Sequence, residues 1–514
     1  MKLLSKISLS IFLIVALSCH KNEEAFESEL SNSAKSTNSK SSNFHVNFQY
    51  KSTIKVGGEG ASEISAFDSK NNKLFVVNVA STQVSVFDIS DINNPIEEAP
   101  IAISLGSPNS IAVSKGRLAI ALEAEVKQDP GFILLYDTKS LTLLQSYQVG
   151  ALPDMVAFSP NGKFIISANE GEPDDLYLND PKGTISIIDL ESNTISTLDF
   201  EPFNTMQASL EANGFRVFGP NATLAQDVEP EYVAVSNNSE TAWVTLQENN
   251  GVAKVNLLTK SIEAIYPLGY KDFNAAGNEI DPSDKDGVKA LGNVPVYGIY
   301  QPDAIAYVKI RGVDYIITAN EGDARDYDGF SEEERVADLI LDPSIFPNRE
   351  ELQKDENIGR LKITTTLGDL DGDGDYDAIY NYGARSFTIW TGNGNMVYDS
   401  GNSIATETLS ATPTRFNDND KRSDDKGAEP ETVEVLNIQG NKHILFVGLE
   451  RNDQVLVYDI SNPASPKFLQ ILSHAGDEAP EGLLAISEKD SPNGKDLLLV
   501  SNEDSGTVSI YENK

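Results

Sequence analysis

Residues 153–170 read PDMVAFSPNGKFIISANE. A proline and an acid open a short run of apolar and small residues, SPNGK makes a turn, and a second apolar run ends in Asn-Glu. The same phrase recurs along the chain. First strands read SEISAFD from Ser62, PNSIAVS from Pro108, PDMVAFS from Pro153, PEYVAVS from Pro230, PDAIAYV from Pro302, PETVEVL from Pro430 and PEGLLAI from Pro480. Second strands read KLFVVNV, RLAIALE, KFIISANE, AWVTLQE, DYIITANE, ILFVGLE and LLLVSNE; third strands include QVSVFDIS, TISIIDL and QVLVYDIS. A unit of this size cannot bury its apolar faces alone and must stack on copies of itself. We therefore expect an all-β fold, a seven-bladed β-propeller over residues 44–514. The seventh unit stops at its third strand, TVSIYENK, so Thr53 to Val56 is expected to supply the outer strand there and close the ring.

Residues 1–18 carry Lys2 and Lys6, an apolar run from Ile7 to Leu17 and a small Ser18, the pattern of a secretory signal peptide too short to span a bilayer. Ala16-Leu17-Ser18-Cys19 resembles a bacterial lipobox, and Cys19 is the chain's one cysteine. Lipidation at Cys19 is expected, and an intramolecular disulfide is excluded. Residues 19–43, rich in Ser, Asn, Lys and Glu, read as a flexible tether reaching about 25–30 Å. The expected location is the bacterial cell envelope, extracytoplasmic and lipid-anchored, the outer membrane ahead of the inner. With 40 basic and 78 acidic residues the net charge is −38, and loss of Lys2 and Lys6 with the leader makes it −40. Such a surface repels nucleic acid and attracts cations.

Part of that acidity recurs in register. The start of a first strand and the end of the second lie at one end of an antiparallel pair. First strands begin with Glu63, Asp154, Glu231, Asp303, Glu431 and Glu481, with Asn109 in the second unit; second strands end with Glu123, Glu170, Glu248, Glu321, Glu450 and Glu503, with Val79 in the first. Two carboxylate rings are thus expected around one mouth of the central channel. Any single acid there is explained by capping of backbone amides, but twelve in register would raise one another's pKa unless a cation neutralised them. Oxygen ligands select Ca²⁺, with Mg²⁺ second. Insertions at about 200–228, 269–300, 322–384 and 401–428 emerge at the same end and are expected to form a lid.

Within these loops Arg325, Arg385, Arg415, Arg422 and Arg451 are candidates to hold a phosphate or carboxylate, against the competing reading of pairing with neighbouring acids. His474 is a candidate acid or base. LGDLDGDGDYDAIYNYG, residues 367–383, matches D-x-D-x-D-G-x-x-D and predicts a calcium loop with Asp369, Asp371, Asp373 and Asp377 as ligands around the Gly374 bend. Its flanks read as strands and Tyr380 stands where an EF-hand has glutamate, so the loop is not an EF-hand.

GASEI at Gly60, the NEG corners, NEGDARDYDGF at Asn320, the aspartate loop, RSDDKGAEPE at Arg422 and RNDQVLVYDISNP at Arg451 resemble the choice-of-anchor I proteins, over essentially residues 50–514. The resemblance implies a bacterial surface or secreted propeller, similar to the mesenchyme-specific cell-surface glycoproteins of echinoderms associated with biomineralisation. Many relatives carry an alkaline phosphatase label, and the PEG corner at Pro480 is similar to that of phytase-like propellers. The chain departs locally, with Asp174 and Asp175 where the fifth unit has Arg325 and Asp326. Two functions are compatible with these residues, besides a purely architectural role. One is a calcium-binding propeller that binds an anionic or phosphorylated ligand, or a surface partner, at its acidic mouth. The other is a calcium-dependent phosphomonoesterase in which Glu321 and Glu431 hold the metal that activates water while Arg325, Arg385 or Arg422 steadies the phosphoryl group.

Overall fold

Alternation of apolar residues over five to eight positions, broken by Asn, Gly and Pro, yields strands throughout the computed structural model, which describes residues 46–439 and 441–514. The leader, Cys19 and the tether expected over 1–43 lie outside them. Six antiparallel sheets have four strands each, and a further sheet, opened by Ser65–Asp68, has its outermost position split between Ile96–Glu97 and Ile101–Ala102. Five are built from consecutive strands, as in Pro153–Phe158, Phe164–Asn169, Thr184–Asp189 and Thr194–Leu198. In the sheet opened by Ile305–Ile310, Val313–Asn320 pairs with Ser386–Thr391, so residues 321–385 are one long excursion between neighbouring strands. The last sheet combines Pro480–Ile486, Leu497–Asn502 and Thr507–Asn513 with Phe48–Lys55 from the other end of the chain. That pairing is antiparallel and runs from Phe48 opposite Asn513 to Lys55 opposite Thr507.

Second strands such as Phe164–Asn169 are buried at every position, whereas outer strands such as Thr194–Leu198 are mostly exposed. The difference follows from packing, since each sheet is covered on both faces by its neighbours and only its rim meets water. Apolar clusters bridge successive sheets. One joins Phe75 and Val77 to Ile111 and Leu118, and the next joins Ala119 to Ile165. Another joins Ile54, Leu74 and Val76 to Leu497, Leu499 and Val508, bringing the first and last sheets together. The arrangement is all-β and of propeller type.

Two of the insertions expected over the opening fold largely on each other. Residues 269–300 and 322–384 share a five-stranded sheet of their own, in the order Tyr270–Asp272, Tyr297–Ile299, Tyr380–Asn381, Lys362–Thr364 and Glu333–Arg335. It is closed by a separate apolar core that includes Phe273, Val296, Val336, Leu361 and Ile379. Enough apolar residues fell within the insertions to fold on themselves, and burying them there is more favourable than draping them over a charged opening.

Candidate metal centre

The proline that opens a first strand pairs with a residue at the end of the second, Pro153 with Asn169, Pro430 with Leu449 and Pro480 with Asn502. The register then slips. It skips Asn109, Asp154 and Glu481 singly, and Glu231 or Glu431 together with the next residue. A bulge at that point re-aims the side chain it carries, and in four units the residue re-aimed is the acid, Asp154, Glu231, Glu431 or Glu481. Leu152, Gln301, Glu429 and Ala479, each directly before the opening proline, have φ of 47°, 42°, 51° and 55°. Left-handed backbone at non-glycine residues is costly and persists where surrounding structure imposes it. In Asn-Glu corners the asparagine is structural. Asn169 donates to Thr184 Oγ1 (3.1 Å) and Asn320 to Thr388 Oγ1 (2.8 Å) on the third strand. The glutamate that follows is thereby turned off the sheet.

These acids meet in a cavity of about 570 Å³. Glu63, Asp154, Glu231, Asp303, Glu431 and Glu481 line it from the first strands, and Glu123, Glu170, Glu248, Glu321 and Glu503 from the second. Asn109 and Val79 occupy the two places without an acid. Glu450 stands outside the lining, ion-paired with Arg451 at 2.7 Å. Of the insertions, residues 323, 324, 325 and 327 reach the wall.

Burial is the first cause of the perturbed acidity here, and neighbouring carboxylates the second. Glu170, Glu231, Asp303, Glu431 and Glu481 are held well above the usual carboxylate range, and Glu63 is pushed up to about 8. Asp303, Glu321 and Glu431 each bring one oxygen within 4.8 Å of the others, close enough to share one ion. The Oε2 atoms of Glu231, Glu248 and Glu431 are buried without a hydrogen-bond partner. Unpartnered carboxylate oxygens are costly, and a divalent cation is the group that satisfies several at once.

Two residues escaped the sequence reading. Glu429, fully buried, accepts from Arg422 Nε (2.7 Å) and Arg451 Nε (3.2 Å). Lys426 pairs with Glu321 and lies 3.5 Å from Asp323 and 3.6 Å from Glu429. Both stand in KGAEPE directly before a strand-opening proline, the signal that could have exposed them.

The arginines are committed elsewhere. Arg325 is buried, with Nη1 2.7 Å from Asp227, Nη2 2.9 Å from Glu229 and its guanidinium over the Phe218 ring. Arg385 donates to the carbonyls of Asp281 (2.8 Å), Ser423 (3.0 Å) and Asp425 (2.7 Å). Arg422 pairs with Asp425 and Glu429 at 2.9 and 2.6 Å, and Arg415 with Asp453 at 3.0 Å. Pairing with acids, the competing reading, describes Arg325, Arg415 and Arg422, whereas Arg385 is held by backbone carbonyls. His474 does not line the cavity; it is stacked on Tyr50 at 3.8 Å and lies 3.7 Å from Asp477.

In the aspartate loop, Asp369 accepts from the amides of Gly372 (2.8 Å), Asp373 (3.2 Å) and Gly374 (3.1 Å), so backbone and carboxylate fix one turn. Asp369, Asp371 and Asp377 converge within 4.8 Å, while Asp373 stands outside the group. Asp342 and Asp375 form a second group with Asp377. No residue of 367–383 lines the cavity. The excursion instead returns against its own start, where a Cβ on Gly322 would lie 2.0 Å from the Gly383 nitrogen. That close approach, open to glycine alone, pinches the chain beside Glu321.

The choice-of-anchor I domain profile matches residues 63–463, most of the repeat. The chain belongs to the choice-of-anchor I family. Gigasin-3a from Magallana gigas is 30% identical over 189 residues, 31% of this chain and 66% of that protein. The mesenchyme-specific cell surface glycoprotein of Strongylocentrotus purpuratus is 23% identical over 373 residues, 62% of this chain and 46% of that protein. The chain thus spans less than two thirds of either relative. Among solved structures, the β-propeller domain of Cps50 (Swd1) from Myceliophteria thermophila has a TM-score of 0.46 at 9% identity, covering 90% of this chain and 99% of that one. Hydrazine synthase from Kuenenia stuttgartiensis has 0.48 at 12%, covering 89% and 96%. Membership of this family points to a cell-surface protein. No helix among the described residues is long and apolar enough to cross a membrane.

Proposed function

We propose that this choice-of-anchor I protein is a seven-bladed propeller closed by its N-terminal strand, held on the outside of the cell envelope, at the outer membrane, by lipid on Cys19. Its acidic cavity holds a divalent cation, Ca²⁺ ahead of Mg²⁺, and presents it to an anionic ligand or surface partner. Pairing of Phe48–Lys55 with Thr507–Asn513 and the apolar cluster joining first and last sheets support the closure. A relative named as a cell surface glycoprotein supports the location. The observation that carries the cation is the convergence of Asp303, Glu321 and Glu431, because neither Asp303 nor Glu431 pairs with any lysine or arginine among the described residues. The aspartate loop takes a separate, structural Ca²⁺.

The phosphomonoesterase reading gives the phosphoryl oxygens to Arg325, Arg385 or Arg422, and all three are engaged by other partners. Binding through the metal is therefore the reading adopted. Calcium titration calorimetry on the chain without its leader tests it. Asp303→Asn with Glu431→Gln should remove one binding event and Asp371→Ala a different one. Equal stoichiometry in wild type and either variant overturns the corresponding site.

A further inference from the structure

Two groups of three carboxylates lie side by side in this structure and share Glu321. The first adds Asp303 and Glu431; the second adds Glu429 and Glu450. Either set of oxygens, mutually within 4.8 Å, suits a hard cation whose ligands stand about 2.3–2.6 Å away. Their counter-charges differ. The first faces a cavity wall that includes Glu248, only 6% exposed, whose Oε2 has no partner. The second is already neutralised from within. Lys426 Nζ pairs with Glu321 and stands 3.6 Å from Glu429, Arg422 reaches Glu429 at 2.6 Å, and Arg451 spans Glu429 (3.2 Å) and Glu450 (2.7 Å).

We propose that Lys426 is a tethered stand-in for a second metal ion, its ammonium filling the place between Glu321 and Glu429 so that the centre takes one divalent cation where its carboxylates could hold two. The proposal rests on the reading that Asp303, Glu321 and Glu431 bind a metal. A lysine ammonium is a compact point charge, the side chain nearest in kind to a bound ion. Its position beside the shared Glu321 also repels a second dication, an effect that is strong in a poorly solvated site. One corner supplies both halves. In KGAEPE, residues 426–431, Lys426 and Glu429 serve the filled group and Glu431 the open one. The left-handed backbone at Glu429, φ 51°, turns the two glutamates to their separate groups.

Bound ions per chain, counted by calorimetry with Ca²⁺ and by elemental analysis after gel filtration, test this on the chain without its leader. Lys426→Met should bind one ion more than wild type and Lys426→Arg the wild-type number, while Asp303→Asn with Glu431→Gln should bind one fewer. Ions in the aspartate loop are common to all four proteins and cancel. An unchanged count in Lys426→Met, with the loss in the double variant intact, overturns the role of Lys426. No loss in the double variant overturns the metal reading instead. Should Lys426→Met unfold in chelator, recovery of its circular dichroism on adding Ca²⁺ supports the vacated second position, and failure to recover overturns it.

Discussion

Removing the Arg325 guanidinium would strand Asp227 and Glu229, both almost fully buried. Breaking a buried ion pair from one side costs about 3–5 kcal/mol. Arg325→Met should therefore lower the unfolding free energy by about that much in urea titrations; an arginine that only held a ligand would leave it within about 0.5 kcal/mol. The cavity acids make a second prediction. Burial first, then neighbouring carboxylates, pushes Glu63 up to about 8 and Asp154 up to about 6. The native chain keeps protons that the unfolded chain has already released, so stability is lost as pH rises from the ordinary carboxylate range toward about 8. Asp88 and Asp137, held low by hydrogen bonds from Ser90 and Ser140, titrate below that window and add no slope within it. The melting temperature in chelator should fall between roughly pH 5 and 8, and saturating Ca²⁺ should flatten the fall by stabilising the ionised acids. A melting temperature in chelator that rises over this range contradicts the assignment.

At the scale of elements, the edge strand Phe48–Lys55 matters through Ile54, which is buried against Leu74, Leu497 and Val508. Ile54→Ala should cost about 2–5 kcal/mol, the usual range for truncating a buried isoleucine, and a loss below about 0.5 kcal/mol would mean that the strand does not close the fold. Strands were legible because their side-chain period is two and their turns are spelled with Asn, Gly and Pro. Even the pairing of chain ends could be inferred, since a unit ending at its third strand leaves an edge to be covered. The insertions were not legible. Their strands are two or three residues long, and Tyr297–Ile299 pairs in parallel with Tyr380–Asn381, about eighty residues on, which no local pattern announces.

For the whole molecule, the proposed attachment rests on one atom, the Cys19 sulfur. Cys19→Ser should move the protein from the membrane fraction to the soluble fraction, because without the lipid a surface of net charge −38 has no affinity for anionic headgroups. Retention of the variant in washed membranes contradicts lipid anchoring there.

Repetition is written along the chain, and with it the strand order, the two rows of acids and the end of each sheet at which they stand. Those features depend on neighbours in sequence and on the two-residue period of a strand. Which acids converge closely enough to share an ion, which arginines are consumed by structure, and that Lys426 and Glu429 stand beside Glu321 depend on contacts between residues about a hundred positions apart, such as Glu321 with Lys426. Competition among many charges for few partners is resolved by distance and burial, and neither quantity exists until the sheets have packed.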